Sequence, residues 1–248
     1  MNKVALITGS SRGIGAATAR LLAQKGYDVC INYLKNHEQA EHLAEQLQQH
    51  GVKTLTVQAD ISQEEEVTRL FKTMDEQLGA VSALVNNAAI LLPQMPVEEM
   101  TAERINRMMT TNVTSYFLCC REAIKRMALK NGGKGGAIVN VSSAASRIGA
   151  ANEYVDYAAS KGAVDTLTRG LSIEVAGEGI RVNCVRPGFI YTDMHADSGE
   201  PDRIERIKSV IPLQRGGTAK EVANSIAWLL SDEASYVTGS FIDIAGGR

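Results

Sequence analysis

The sequence lacks any cysteine pattern that carries chemistry. Cys30, Cys119, Cys120 and Cys184 are scattered, with no C-x-x-C and no histidine at metal-ligand spacing, so a zinc site and a disulfide framework are both excluded and no metal is expected. They read as reduced thiols of a cytoplasmic protein. Cys30 and Cys184 fall inside apolar strand-like runs, where a cysteine is a small buried hydrophobe rather than a nucleophile. Proline is scarce, and no Pro/Ser-rich linker, repeat or low-complexity tract divides the chain, so one domain over residues 1–248 is expected. Charge of one sign is also missing: 26 basic against 28 acidic residues gives a net −2, too little to gather nucleic acid or an anionic membrane. No apolar run reaches transmembrane length, and Met1-Asn2-Lys3-Val4 enters an apolar strand without the features of a secretory signal. The remaining ligand class is small molecules.

What the chain does have is alternation. Strand-like apolar runs at 3–7, 29–33, 54–58 and 83–87 are followed by stretches of helical periodicity at 13–25, 38–49, 64–77 and 102–129. Further strand-like runs lie at 137–141, 182–185 and 240–244. Regular alternation predicts right-handed βαβ crossovers: an α/β fold with a doubly wound, mostly parallel sheet flanked by helices. Function in such a sheet sits at the carboxyl ends of the strands, where the strand order reverses. Two segments are too long for simple connections, 91–101 and 190–215. The second, with Asp193, Asp197, Glu200, Asp202 and two prolines, reads as a mobile substrate loop or else as a surface excursion without a role.

Directly after the first strand comes Thr8-Gly9-Ser10-Ser11-Arg12-Gly13-Ile14-Gly15. Gly9 permits a tight turn, Gly13 a close backbone approach to a ligand, and Gly15 close packing of the next helix on the sheet. The free amides and positive dipole end of that helix then face a pyrophosphate. The spacing is G-x-x-x-G-x-G, and no Walker lysine follows it, which disfavours ATP and GTP. NAD-selective sites hold the adenosine ribose with an acid at the end of the second strand. Here stands Asn32, without a carboxylate to repel a 2′-phosphate, while Arg12 and Lys35 can pair with one. NADP(H) is therefore favoured, with NAD(H) possible.

Tyr157 and Lys161 stand at i and i+4, on one helical face about one turn apart. A phenol with a pKa near 10 is a poor acid or base at neutral pH. A cation about 5 Å away, at an effective dielectric near 20, is worth about 3 kcal/mol, or roughly two pKa units, which would make Tyr157 useful. By itself the pair reads equally well as packing and snorkelling. Its neighbours change that. Val139-Asn140-Val141-Ser142-Ser143 ends the fifth strand and offers a hydroxyl from Ser142 or Ser143 to a developing oxyanion. Asn112 lies inside a predicted helix, an unfavourable place for an asparagine without a task. Arg186-Pro187-Gly188-Phe189-Ile190-Tyr191-Thr192 follows the sixth strand. Tyr154 is the weaker tyrosine, since Ala158 stands four residues on.

The loop T-G-x-x-x-G-x-G, Asn86-Asn87-Ala88-Ala89, the strand-five serines, Y-x-x-x-K and the P-G loop, in this order, resemble the short-chain dehydrogenase/reductase family from first strand to last. Ala89 departs from that family's N-N-A-G, and Leu34 stands where NADP-using relatives often carry Arg. The resemblance implies a Rossmann-type fold of seven strands in the order 3-2-1-4-5-6-7. It implies reversible hydride transfer between nicotinamide and a small-molecule carbonyl or alcohol, and a homotetramer. Tyr157 would be the proton donor, Lys161 the ribose-binding cation and pKa tuner, Ser143 the orienter of the carbonyl, and Asn112 the holder of a water that relays protons to Lys161. Cofactor contacts would come from Gly9, Ser11, Arg12, Gly13, Ile14, Gly15, Asn32, Asp60, Ile61, Asn86, Ala88, Tyr157, Lys161, Pro187, Gly188, Ile190 and Thr192. Asp60 resembles the family acid that meets adenine, and Ser62 with Glu65 reads as a capping box for the helix that follows.

Residues 154–157 and 236–243 resemble sugar dehydrogenases and ketoacyl carrier-protein reductases. For a carrier protein, Lys125, Arg126, Lys130 and Lys134 offer a docking patch or are simply solvated charges near a helix end. Two rivals share a glycine-rich first turn: a non-catalytic dinucleotide sensor and a methyltransferase. Neither needs Ser143, Tyr157 and Lys161 together.

Overall fold

Nine strands and ten helices follow one another in the computed structural model, which describes residues 3–248. The strands are β1 (Val4–Ile7), β2 (Asp28–Tyr33), β3 (Thr54–Gln58), β4 (Ala83–Asn86), β5 (Gly136–Val141), β6 (Ile180–Pro187), β7 (Ile190–Tyr191), β8 (Gly217–Thr218) and β9 (Phe241–Ile244). The helices are α1 (Gly13–Gln24), α2 (His37–Gln48), α3 (Glu64–Gln77), α4 (Ala102–Met109), α5 (Ser115–Met127), α6 (Ala145–Ile148), α7 (Val155–Glu174), α8 (Met194–Asp197), α9 (Arg203–Ile207) and α10 (Ala219–Leu230).

Seven strands form one parallel sheet in the order β3-β2-β1-β4-β5-β6-β9, the arrangement expected from the alternation and the family resemblance. The strands next to the centre are apolar at nearly every position because helices cover both faces. Along β1 the side chains alternate. Ala5 and Ile7 join one core with Leu22, Leu43 and Ile226, while Val4 and Leu6 join the other with Phe71, Met74 and Met127. The chain runs outward from β1 to β3 and then returns to place β4 on the other side of β1. The loops after β1 and β4 therefore diverge and open a crevice between them.

The structure differs from the sequence reading in three places. The predicted helix over 102–129 is interrupted by a π turn at Thr110–Thr114, centred on Asn112. A single π turn inserts one residue, an interruption too short for periodicity to reveal, yet it re-aims the side chains at the break. Next, Ser62 and Glu65 form no capping box. The N-cap of α3 is Gln63, without a side-chain bond; instead the Ser62 amide donates to Asp60 Oδ1 (2.9 Å) and the Asp60 amide to Glu66 Oε2 (2.7 Å). Asp60 closes the turn on its own side chain and takes the place of a serine cap. Finally, 190–215 is not irregular: β7, α8, α9 and a 3-10 turn at Lys208–Val210 lie within it, and the pairing of β7 with β8 anchors its base.

A capping box does occur on α10, where Thr218 Oγ1 accepts from the Glu221 amide (3.2 Å) and Glu221 Oε2 from the Thr218 amide (2.7 Å). Thr218→Ala should lower unfolding free energy by about 1 kcal/mol in urea titrations, and an unchanged midpoint would show that the cap contributes nothing.

Candidate active site

The glycine loop is built by contact with the segment after β4. Gly9 has φ +61°, and a Cβ there would lie 2.8 Å from Ala88 Cβ. A Cβ on Gly15 would lie 2.7 Å from Ser10 Cα and 2.8 Å from Asn87 Nδ2. Thr8 Oγ1 accepts from the amides of Asn87 (2.9 Å) and Ala88 (3.1 Å), which fastens the two segments together. Gly13 is different: at φ +58° the nearest atom to its missing Cβ is Thr192 Cγ2 at 3.6 Å, an ordinary contact, so backbone conformation and not crowding calls for glycine here. Arg12 is the N-cap of α1 and makes no side-chain cap bond. The first amides of α1 thus point, beside a bare glycine backbone, into the crevice, and the residues present fit a pyrophosphate. Ser11 and Ile14 are half-buried in the same loop, and Ile14 lines the cavity beside it.

Two asparagines expected at the cofactor turn inward. Asn32 is buried: Oδ1 accepts from the Gly9 amide (3.2 Å), while Nδ2 donates to the carbonyls of Val57 (3.3 Å) and Ala59 (3.0 Å). Its carboxamide ties the glycine loop to β3 and is spent on that task. Asn86 is likewise buried, with Nδ2 donating to Asn140 Oδ1 (2.9 Å) and Cys120 Sγ (3.2 Å). Its neighbours Asn87 and Ala89, which the motif reading passed over, line the cavity instead, because alternate residues at a strand end face opposite ways. Asp60 stays half-buried at its turn, and Ile61 packs in the core under α3. Arg12 is engaged by the 190–215 segment, with an ion pair to Asp197 and a second to Asp193 at 3.7 Å.

The Tyr157–Lys161 face of α7 meets the carboxyl end of β5. Lys161 is 1% exposed, and its Nζ donates to the Val141 carbonyl (2.8 Å) and to the Tyr116 hydroxyl (3.3 Å). Tyr116 in turn donates to the same carbonyl (3.0 Å). Lys161 Nζ lies 5.6 Å from the centroid of the Tyr157 ring. Ser143 borders the cavity beside Tyr157, whereas Ser142 is buried with its hydroxyl on the Lys161 carbonyl (3.1 Å). Of the two serines, Ser143 is thus the one that faces the tyrosine.

The expected lowering of the Tyr157 pKa by its neighbouring cation does not appear. Burial pushes the phenol up to about 12 against the opposing hydrogen bond from Ser143, and burial brings Lys161 down to about 8 against the attraction of Cys184 and Asp165. Removal from water outweighs a cation whose protons are directed at Val141 and Tyr116 rather than at the phenol. Asn112 is fully buried, with Oδ1 accepting from the Ile90 amide (2.8 Å) and Nδ2 reaching the Ile90 carbonyl (3.0 Å), Ser160 Oγ (3.2 Å) and Met108 Sδ (3.0 Å). Its carboxamide is committed to protein groups, so any water relay would rest on the backbone of the π turn. Tyr154, the weaker tyrosine for want of a cation, has one from the 190–215 segment: Arg203 Cζ lies 4.8 Å from its ring centroid. Tyr116 was missed altogether, although its position four residues after Asn112 was a readable signal.

Ser143, Tyr157, Lys161, Pro187, Gly188, Ile190 and Thr192 all border one cavity of about 420 Å³, closed on another side by Met194, His195, Arg203 and Ile207 of the 190–215 segment. The volume suits a small organic molecule. The basic cluster near α5 is largely neutralised instead of forming a patch: Lys125 and Arg126 pair with the buried Glu122, Arg126 also with Asp75, and Lys130 with Glu178. Among the described residues no helix is long and apolar enough to cross a membrane.

Comparison with known proteins finds relatives along the whole chain. A family model described as enoyl-(acyl carrier protein) reductase matches residues 9–248. The chain is 66% identical over 245 residues to the uncharacterized oxidoreductase YgfF of Escherichia coli, covering 99% of each chain. It is 37% identical over 247 residues to the 3-oxoacyl-[acyl-carrier-protein] reductase FabG of Staphylococcus aureus, covering 100% of this chain and 98% of that one. Among solved structures, a short chain dehydrogenase from Burkholderia cenocepacia in complex with NADP superposes with a TM-score of 0.89 at 30% identity, covering 99% of this chain and 97% of that one.

The buried pair sets a pH dependence of stability. Lys161 has a folded value near 8, below the unfolded value of about 10.4, so the unfolded chain binds the extra proton between them and stability rises with pH across that window. Tyr157, raised to about 12, acts in the opposite sense above about pH 10. In urea titrations the stability of the wild type relative to Lys161→Met should therefore increase from about pH 8 to 10, and a flat difference would contradict the burial of this charge.

Proposed function

The chain belongs to the short-chain dehydrogenase/reductase family, and from that premise we propose that it is an NADP(H)-dependent oxidoreductase that interconverts a small-molecule carbonyl and the corresponding alcohol. The observation that carries this reading is the convergence of the Ser143 hydroxyl, the Tyr157 phenol and the Lys161 ammonium on one cavity next to the glycine loop. When bound, a nicotinamide dinucleotide supplies transfer of a hydride. The chain supplies everything else.

Holding the dinucleotide falls to Gly9, Ser11, Gly13, Ile14 and Gly15 at the pyrophosphate, to Asp60, Ile61 and Ala88 on the adenosine side, and to Pro187, Gly188, Ile190 and Thr192 at the nicotinamide. Arg12 pairs with the 2′-phosphate of NADP(H), which must compete with Asp193 and Asp197 for the same guanidinium. Ser143 donates a hydrogen bond to the carbonyl oxygen and opposes the charge that grows there. Tyr157, whose proton is firmly held at neutral pH, acts as general acid toward that oxygen in reduction and accepts the proton back in oxidation. Lys161 is mostly charged at neutral pH, and the nearby ammonium favours the phenolate left behind. Asn112 fixes the loop at Ile90 and the π turn around this cluster. A homotetramer in the cytoplasm is part of the same proposal, supported by the exposed Phe117 and Ile173 on the long helices α5 and α7 and by four unpaired cysteines.

Tyr157→Phe should bind NADPH as the wild type does while kcat falls by about a hundredfold or more; appreciable residual turnover would remove Tyr157 from the mechanism. Turnover of nicotinamide with any carbonyl also excludes a non-catalytic sensor. Arg12→Ala should raise the KM for NADPH by about tenfold and leave that for NADH nearly unchanged, and equal effects on both would remove the 2′-phosphate contact.

A further inference from the structure

On the side of the cavity closed by the substrate loop, the aromatic ring of Phe189 is contacted by three nitrogen-bearing side chains. Arg203 Cζ lies 5.6 Å and Arg248 Cζ 5.2 Å from its centroid, and the His195 ring is tilted against it with centroids 6.5 Å apart. All four residues line the same cavity as Tyr157.

The two arginines are not equivalent. Arg203 is 7% exposed and ion-paired to Glu153 and to Glu200 (2.9 Å), so its charge is balanced within the protein. Among the described residues no Asp or Glu side chain forms an ion pair with Arg248, whose guanidinium rests on the Phe189 ring. His195 Nδ1 is buried and closed off from the cavity, which leaves Nε2 as the ring nitrogen that a ligand there can reach. Burial and the nearby Arg203 hold His195 below its ordinary pKa, so the ring is neutral at neutral pH and carries a single N–H. Around these groups the wall is apolar, with Leu91, Ile148, Met194 and Ile207. Such a lining suits a ligand with an aliphatic body and one anionic end.

We propose that the cavity takes an oxo acid or hydroxy acid, its carboxylate gripped by Arg248 and His195 while its carbonyl or alcohol lies at Tyr157. One planar guanidinium fork matches the two oxygens of a carboxylate. A dianionic phosphate would call for a second free cation, and the charge of Arg203 is already taken by Glu153 and Glu200. The inference rests on the oxidoreductase reading only in making this ligand the redox substrate.

The test separates the two claims. Binding of straight-chain oxo acids of increasing length, each paired with its methyl ester, is measured by calorimetry on the full chain without added nucleotide, and turnover is then followed with NADPH. The best oxo acid should bind about tenfold or more tightly than its ester. Arg248→Gln, at an exposed position, should abolish that preference while ester binding stays unchanged, and His195→Phe should weaken the acid severalfold. Equal binding of acid and ester, no binding of any oxo acid, or a preference that survives Arg248→Gln overturns the carboxylate site. A retained preference without NADPH oxidation by any compound leaves the site standing and removes the oxidoreductase reading instead.

Discussion

A lysine ammonium withdrawn from water is stable only where acceptors are already aimed at it, and this requirement organises the carboxyl edge of the sheet. Lys161 has two, the Val141 carbonyl and the Tyr116 hydroxyl, and each comes from a different element. The end of β5, helix α5 and helix α7 must therefore meet at fixed distances or leave a buried charge unsatisfied. The neighbouring polar groups extend the same constraint. Ser142 bonds the Lys161 carbonyl, Ser160 is held by Asn112, and Asn112 is pinned to both backbone atoms of Ile90. Tyr157 thus sits on a helix that has little freedom to slide, with Ser143 alongside.

The other half of the crevice follows from sterics rather than charge. Without a Cβ at Gly9 and Gly15, the glycine loop can touch Ala88 and Asn87; without one at Gly13, the start of α1 stays bare. Asn32 completes the loop by tying the Gly9 amide to β3. The 190–215 segment reaches back to Arg12 through Asp193 and Asp197, so it and the glycine loop share one cation.

The parallel sheet was legible because strands buried on both faces leave unbroken apolar runs, while its strand order was legible only through the family resemblance that the motifs carry. Tyr157, Lys161 and Ser143 were legible for the same reason: position on a strand end or one helical face fixes where a side chain goes. What was not legible depended on partners distant in sequence. Asn32 and Asn86 carry polar groups that look available until their acceptors on β3 and β5 are seen. Arg12 meets acids 181 and 185 residues away, and Tyr154 meets Arg203 of the substrate loop. The π turn at Asn112 hides within a pattern that an uninterrupted helix would also give. The state of Tyr157 was misjudged because spacing reports a nearby cation but not the depth of burial, and here burial is the larger effect.

All of this depends on Lys161 being charged, buried and held by β5 at neutral pH. The direct measurement is an NMR titration of the Lys161 side chain, assigned by comparison with Lys161→Met. The midpoint should lie near 8, well below the value of about 10.4 for exposed lysines. A midpoint among those of the exposed lysines would contradict the account.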